Sequence, residues 1–425
     1  MRLSKRRRKL IVLDSSYALE AIRARGLEHS VTCRDLNGFF EHVWTVHPFA
    51  TLVTSEAWTS KYGKPEVHLL TPAHTFIEGK VGRFPQLWPF PALNFVISQI
   101  CIFVSLARMI RKKQISGIRA GDALYLGLFG WALSRLCGIP LIVRVGGNSD
   151  KVYETTGHPM QRRLFFSRKI EKIVERFVFA RADLVAGANQ DNLGFALSNG
   201  ARPEFSTLFR YGNLIDRLHF VEPKERSDGG SLLNEFGMKP RSFILYIGRL
   251  EHVKHPDDVL RVLATMRMRG HDVKALLAGD GQLLAQLVEL ANELGVKDQV
   301  MFAGNRDQLW LSRVIPLAAA VLSPHTGRAL SEAALGGAPV VAYDVDWQGE
   351  LIRSGLTGAL VPNLAWGKMA DEVERFLAEP DYAHDMGKAL RRRALEMLDP
   401  TSLNKHEQDQ YAALLQRVER LGNQN

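Results

Sequence analysis

Along most of the chain, short apolar runs alternate with longer stretches whose apolar residues recur at i, i+3 and i+4. Short runs rich in β-branched residues read as buried strands and the longer periodic stretches as amphipathic helices. Their regular alternation predicts parallel α/β sheets. In the first half the strand candidates are 10–13, 67–70, 123–128, 140–145, 183–186 and 206–209, with a helical stretch over 165–180. In the second half, 243–247, 273–277, 299–302, 319–322 and 339–342 are mostly apolar, as strands covered on both faces are. Helical stretches follow at 256–269, 283–294, 330–335 and 368–377. The polar, Gly-rich segment 224–237 places a domain boundary near 220–230. The expected organisation is an N-terminal α/β domain over 1–222 and a C-terminal one over 223–399. A last, mostly polar helix within 400–425 is expected to pack back on the first domain.

Length agrees, because 425 residues exceed one ordinary core. With 46% hydrophobic and 24% charged residues, the chain has the make-up of a soluble globular protein. Its net charge of +10 is partly concentrated in Arg2, Lys5, Arg6, Arg7, Arg8 and Lys9. Such a run reads as a solvated tail, or as a contact for anionic lipid at about 1 kcal/mol per residue. Neither an aromatic-interleaved RNA motif nor a helix-turn-helix pattern stands out, so no nucleic-acid partner is expected. Cys33, Cys101 and Cys137 are widely spaced, with no CxxC pair. That argues against a disulfide framework and fits a reducing cytoplasm. Only 10–13 are apolar between the basic start and Asp14, too short a run for a signal-peptide core. The uncharged stretch 85–107 is broken early by Pro85, Pro89 and Pro91, and its Asn94, Ser98 and Ser105 fall on one helical face. It predicts a buried or interfacial amphipathic helix shorter than the ~20 apolar residues of a membrane span. Arg108, Arg111, Lys112 and Lys113 end it, suiting a helix C-terminus or lipid headgroups.

In open α/β sheets ligands bind beyond the carboxyl ends of strands, so the loops there carry the candidate chemistry. In IGRLEHVKHPDDVL, a strand ends at Gly248, Arg249 and Lys254 follow, and a helix starts near Pro256. Two cations before a helix N-terminus suit a diphosphate; the plain alternative is a solvated loop. LLAGDG (276–281) and FAGNRDQ (302–308) are further strand-to-helix turns. In LSPHTGRALSEAALGGAPVVAYD (322–344), Glu332 lies in an otherwise apolar helix. A buried carboxylate there needs partners: two ribose hydroxyls, or backbone N–H groups in a purely structural role.

The order GR-x4-K, AGDG, F-x-G, EA-x2-GG-x-PVVA and G-x-TG-x-LVP resembles glycosyltransferase family 4, retaining enzymes of GT-B fold. The likeness is convincing from Ile244 to about Leu377, and weaker for ARADLVAGANQ (180–190) and YGNLID (211–216). It implies two facing Rossmann-like domains with an interdomain cleft. It implies transfer from a nucleoside-diphosphate sugar, UDP or GDP type, to a hydroxyl of a glycan or lipid-linked acceptor, with no cofactor and no essential metal. Arg249 and Lys254 match the basic pair that neutralises the diphosphate. Glu332 matches the ribose-binding glutamate, Gly248 the glycine before the basic pair, and Gly327 the loop glycine beside the donor. Gly279 and Arg328 complete the expected donor set.

Two departures stand out. Pro324 occupies the place of the family's first glutamate, with His325 after it as a substitute contact or a solvent-facing loop residue. No histidine follows the strand in PLIVRVGGNSD (140–150), where Arg144, Asn148 and Asp150 are the polar candidates. Asn148 and Asp150 are assigned to the catalytic set with Arg249 and Lys254, and His158 is a further candidate; turn chemistry explains an Asn or Asp there equally. By analogy, bacterial surface polysaccharide or glycolipid assembly at the inner face of the plasma membrane is the setting, with peripheral contact to anionic lipid. The alternatives are a nucleotide-sugar epimerase and a non-catalytic nucleotide-sugar-binding protein.

Overall fold

A computed structural model describes residues 8–52, 61–225, 229–325 and 327–422. Arg2, Lys5, Arg6 and Arg7 of the basic run lie outside the described residues. Two compact units are present. One comprises Met1–Arg23, Glu28–Leu214 and Pro400–Asn425; the other comprises Ala24–Leu27 and Ile215–Asp399.

The first unit is built on an eight-stranded sheet: β1 (Lys9–Leu13), β2 (His42–His47), β3 (Glu66–Thr71), β4 (His74–Glu78), β5 (Gly117–Ala120), β6 (Leu141–Val145), β7 (Leu184–Gly187) and β8 (Ser206–Leu208). Their order is β3-β4-β2-β1-β5-β6-β7-β8, and only the edge pair β3–β4 is antiparallel. The second unit holds β9 (Phe243–Ile247), β10 (Lys274–Ala278), β11 (Val300–Gly304), β12 (Ala320–Ser323), β13 (Val340–Tyr343) and β14 (Ala359–Val361). These six strands run parallel in the order β11-β10-β9-β12-β13-β14, the doubly wound dinucleotide-fold order. Apolar layers cover both faces, one led by Leu245, Val321 and Leu330 and the other by Ile244, Leu260 and Leu277.

Three expectations are corrected. The run 123–128 is no strand: a helix, Tyr125–Cys137, starts within it, and the sheet is entered by β5 instead. Periodicity cannot separate a short buried strand from a buried helix start. Here Leu126, Phe129 and Leu133 are buried at helical spacing, while β5 is disguised by Arg119, a charged residue fully inside. Two strands, β2 and β4, carry polar letters that hide them, among them Thr45, His47, His74 and Thr75, all buried. Burial pushes the His47 and His74 imidazoles down to about 4, so both are neutral core residues. Finally, the uncharged stretch yields a 23-residue helix, Pro91–Lys113, long and apolar enough by length and composition to cross a membrane. Pro91 begins this helix rather than breaking it, since the first turn has no use for its missing N–H.

The helix Pro400–Gly422 belongs to the first unit and is clamped there by a buried cluster. Tyr411 packs edge-on against Phe40, with ring centroids 5.1 Å apart. Glu407, fully buried, accepts a 2.8 Å hydrogen bond from Asn213 and lies 3.9 Å from Arg119 and 3.8 Å from Arg144. One carboxylate thus lies between two buried guanidinium groups. Removing it leaves both charges uncompensated, at a cost of about 3–5 kcal/mol. Glu407→Ala is therefore expected to lower the urea midpoint of the first unfolding transition; an unmoved midpoint would contradict this role.

Candidate functional site

In the second sheet the strand order reverses between β9 and β12. The connections leaving these neighbours go to opposite faces and open a crevice at their carboxyl ends, where such folds bind ligands. The two segments singled out for their cations and glutamate are the loops that follow these two strands.

The β9 loop is held from below. Tyr246 is fully buried, yet its hydroxyl donates to the Arg249 carbonyl at 3.1 Å. A Cβ on Gly248 would come within 2.8 Å of that hydroxyl. Across the next strand, Gly279 has φ 153°, and a Cβ there would be 1.8 Å from the Gly248 carbonyl oxygen. Only glycine fits that approach. The Leu250 amide donates to the Asp280 carbonyl at 3.1 Å, which fastens the two loops together.

Lys254 closes a 3-10 turn, His252–Lys254, and the helix Pro256–Met268 follows with Asp257 and Asp258 in its first turn. Burial, then the nearby Arg249, push the Lys254 ammonium down to about 8; Asp346 and Glu251 oppose them. Arg249 is half exposed and pairs with Glu251 at 2.7 Å.

The β12 loop meets the same point. Gly327 caps the helix Arg328–Gly336 at φ 67°, ψ −124°, and a Cβ on it would sit 4.0 Å from Lys254 Nζ. The first N–H groups of this helix are therefore directed to the neighbourhood of the ammonium. One turn on, Glu332 is buried, with Arg328 Nε 3.3 Å from Oε1. His325 does not face solvent alone: Nδ1 donates to the Val253 carbonyl at 2.9 Å, and Nε2 meets the Asp346 carboxylate. The histidine thereby bridges the β9 loop and the loop after β13.

The structure thus brings Gly248, Arg249, Lys254, Gly279, His325, Gly327, Arg328 and Glu332 together at one end of one sheet. Asn148 and Asp150 lie in the first unit, after β6. Asn148 caps the helix Ser149–Thr156, accepting from the Asp150 and Lys151 amides. Asp150 is bound by Arg168 at 2.9 Å and Lys172 at 2.6 Å. Burial raises its pKa, but Lys172 and Arg168 outweigh that and keep it below the usual range. Arg144 is spent on Glu407 and the Phe209 carbonyl, and His158 is at the surface.

Sequence reasoning missed Asp346, Gln348 and Asp122. Asp346 adopts φ 51°, a left-handed conformation that Asp tolerates better than most residues. Gln348, fully buried, donates to the Pro324 carbonyl at 2.8 Å and the Tyr343 carbonyl at 2.7 Å, fixing the β12 loop. The position of YDVDWQ just after a strand was the available signal. In the first unit, Asp122 follows β5, and burial pushes its carboxyl up to about 6 against the Leu124 and Leu126 amides and Gln161 that hold it down.

Residues 235–393 match the family model "Glycosyl transferases group 1". Alpha-D-kanosaminyltransferase of Streptomyces kanamyceticus is 26% identical over 269 residues, covering 61% of this chain and 66% of that protein. The chain spans between about a third and two thirds of the length of the curated relatives it matches. Among solved structures, Anabaena Alr3699/HepE in complex with UDP and glucose superposes with a TM-score of 0.72 at 16% identity, over 96% of this chain and 100% of that one. Sucrose-phosphate synthase from Thermosynechococcus elongatus gives 0.75 at 18% identity, over 97% and 100%. With two parallel-sheet α/β units and these neighbours, the chain has the GT-B fold, and the segment 235–393 in its second unit is similar to the group 1 glycosyl transferases.

Proposed function

We propose that this chain is a retaining glycosyltransferase. It moves a sugar from a nucleoside-diphosphate sugar of UDP or GDP type to a hydroxyl of a glycan or lipid-linked acceptor. The observation that carries the reading is the partly desolvated Lys254 ammonium beside the Gly327 turn at the β9/β12 crevice, with Glu332 one helical turn away. The relatives support the same direction: one is a kanosaminyltransferase by name, and a structural neighbour was solved with UDP and glucose.

In this reading the diphosphate lies against Lys254, Arg249 and the N–H groups that open the Arg328–Gly336 helix, while Glu332 accepts from the ribose hydroxyls. As the bond from the anomeric carbon to the β-phosphate oxygen breaks, negative charge grows on that phosphate. Fixed cations and oriented N–H donors stabilise the growing charge more than the ground state, which lowers the barrier. The departing phosphate oxygen takes the proton of the incoming hydroxyl on the same face, so no carboxylate nucleophile is needed. Pro324 removes the usual carboxylate from the loop. Asp346, oriented by His325, supplies a carboxylate near Lys254 that is suited to the donor-sugar hydroxyls. Assembly of surface polysaccharide or glycolipid in the cytoplasm, at the inner membrane face, is the setting this reading favours.

A thermal-shift panel with UDP, GDP and ADP tests the donor site. One nucleotide is expected to stabilise the wild type by about 2.7 kcal/mol at a hundredfold excess over Kd. Lys254→Ala should lose most of that shift while keeping its ligand-free Tm within a few degrees. Equal loss of Tm and binding would reduce Lys254 to a structural role, and product formed from donor alone would mark an epimerase.

The low pKa of Lys254 has a signature in binding. The nucleotide favours the ammonium form, which the free protein loses as pH rises through about 8. Affinity should stay level below pH 8 and fall by up to about tenfold per pH unit above it. Lys254→Arg should bind with a level profile to about pH 10, since a guanidinium stays charged there. A wild-type affinity that is constant to pH 9.5 would reject the assignment.

A further inference from the structure

The helix Pro91–Lys113 has an unusual distribution of polarity: in its first half it turns polar residues to the body of the first unit. Asn94 Oδ1 accepts from the Arg83 and Phe84 amides at 2.6 and 2.9 Å, and its Nδ2 donates to the Phe84 carbonyl at 2.7 Å. Ser98 donates to the Lys80 carbonyl at 2.7 Å. Gln99 donates to the Pro48 carbonyl at 3.2 Å and accepts from the Tyr125 hydroxyl at 2.8 Å. All three are buried. The outer face is the apolar one: Leu93, Val96, Ile100 and Val104 follow one another at helical spacing, with Ile100 57% exposed. Trp88 and Phe90, each about 60% exposed, stand immediately before the helix. Scattered exposed apolar residues are ordinary, whereas a continuous stripe of this kind marks an interaction surface.

We propose that this stripe is a membrane-docking surface, laid flat on a bilayer containing anionic phospholipid. Charge identifies the occupant. The helix contains no acidic residue, and beyond Val104 the exposed side continues into Arg108, Arg111, Lys112 and Lys113. Apolar side chains on one stretch, aromatic residues at one end and a cationic cluster at the other match the interfacial helices that lie in the headgroup region. There the apolar face enters the acyl boundary by ~5–10 Å, while the cations meet lipid phosphates. The chain's net charge of +10 has the same sign. The helix lies on the membrane and does not cross it. Ile102, Leu106 and Ile110 are part of the first unit's core, and withdrawal would also strand the buried Asn94, Ser98 and Gln99 without partners.

Flotation of the full chain with phospholipid vesicles tests this independently of sugar transfer. Wild type is expected to float with vesicles holding about 30% phosphatidylglycerol at about 0.1 M salt, and less with pure phosphatidylcholine. Ile100→Asp, and the milder Ile100→Ser combined with Val104→Ser, should weaken binding at least about tenfold with Tm unchanged, since both positions are already exposed. Arg111→Glu with Lys112→Glu should weaken it at low salt only. Three results would overturn the proposal. One is absence of wild-type binding. A second is binding unaffected by the Ile100 variants, which would assign it to basic residues elsewhere. The third is a dimer in sedimentation that Ile100→Asp dissolves, which would make a second copy the occupant.

Discussion

The parallel pairing of β9 with β12 is the constraint on which the candidate site depends. Ala320, Val321 and Leu322 lie in register with Ile244, Leu245 and Tyr246, so both strands end at the same level. Because the order reverses at this pair, the loops leaving it diverge and cannot fill the space between them. Everything local then serves to hold two loops open and close to each other. The Tyr246 hydroxyl props the first, the Gln348 amide ties the second, and the His325 imidazole spans them. Glycine at 279 removes the side chain that would strike the Gly248 carbonyl, and glycine at 327 supplies the φ of 67° that the second loop needs.

The electrostatics follow from that geometry. Lys254 is held where its charge is poorly solvated and close to Arg249. Its displacement from 10.5 to about 8 corresponds to roughly 3 kcal/mol against the charged form. A site with such a mismatch has a standing attraction for an anion, because a bound anion returns the stabilisation that burial removed. Asp346 relieves only part of the mismatch. The N-terminus of the Arg328–Gly336 helix adds the same sign of potential. In the first unit, Asp150 is paired with Arg168 and Lys172, and Asp14 with Arg34 at 2.5 Å.

Much of the second unit was legible in the sequence because its strands are buried on both faces and read as uninterrupted apolar runs, as in FILYI and VVAY. Its glycines stand where the backbone needs them. The first unit was less legible for a physical reason. Its interior admits Arg119, which Glu407 of the last helix meets, and His47 and His74, which burial keeps neutral; no local pattern reveals that these polar letters lie inside. The same holds for Asp346, whose place beside His325 depends on a left-handed turn after β13. The helix Pro91–Lys113 was legible in its composition but not in its orientation. Asn94 and Ser98 share a face in any helix, yet only the backbone groups of Lys80, Arg83 and Phe84 decide that this face points inward.

The central claim is that the β9/β12 crevice of the second unit holds a nucleoside diphosphate, and amide hydrogen exchange tests it most directly. With saturating nucleotide, protection is expected to rise in the segment 248–255 and at the start of the helix Arg328–Gly336, and to leave β11 and β14 unchanged. Binding accompanied by protection elsewhere, with these two loops unaffected, would contradict the account.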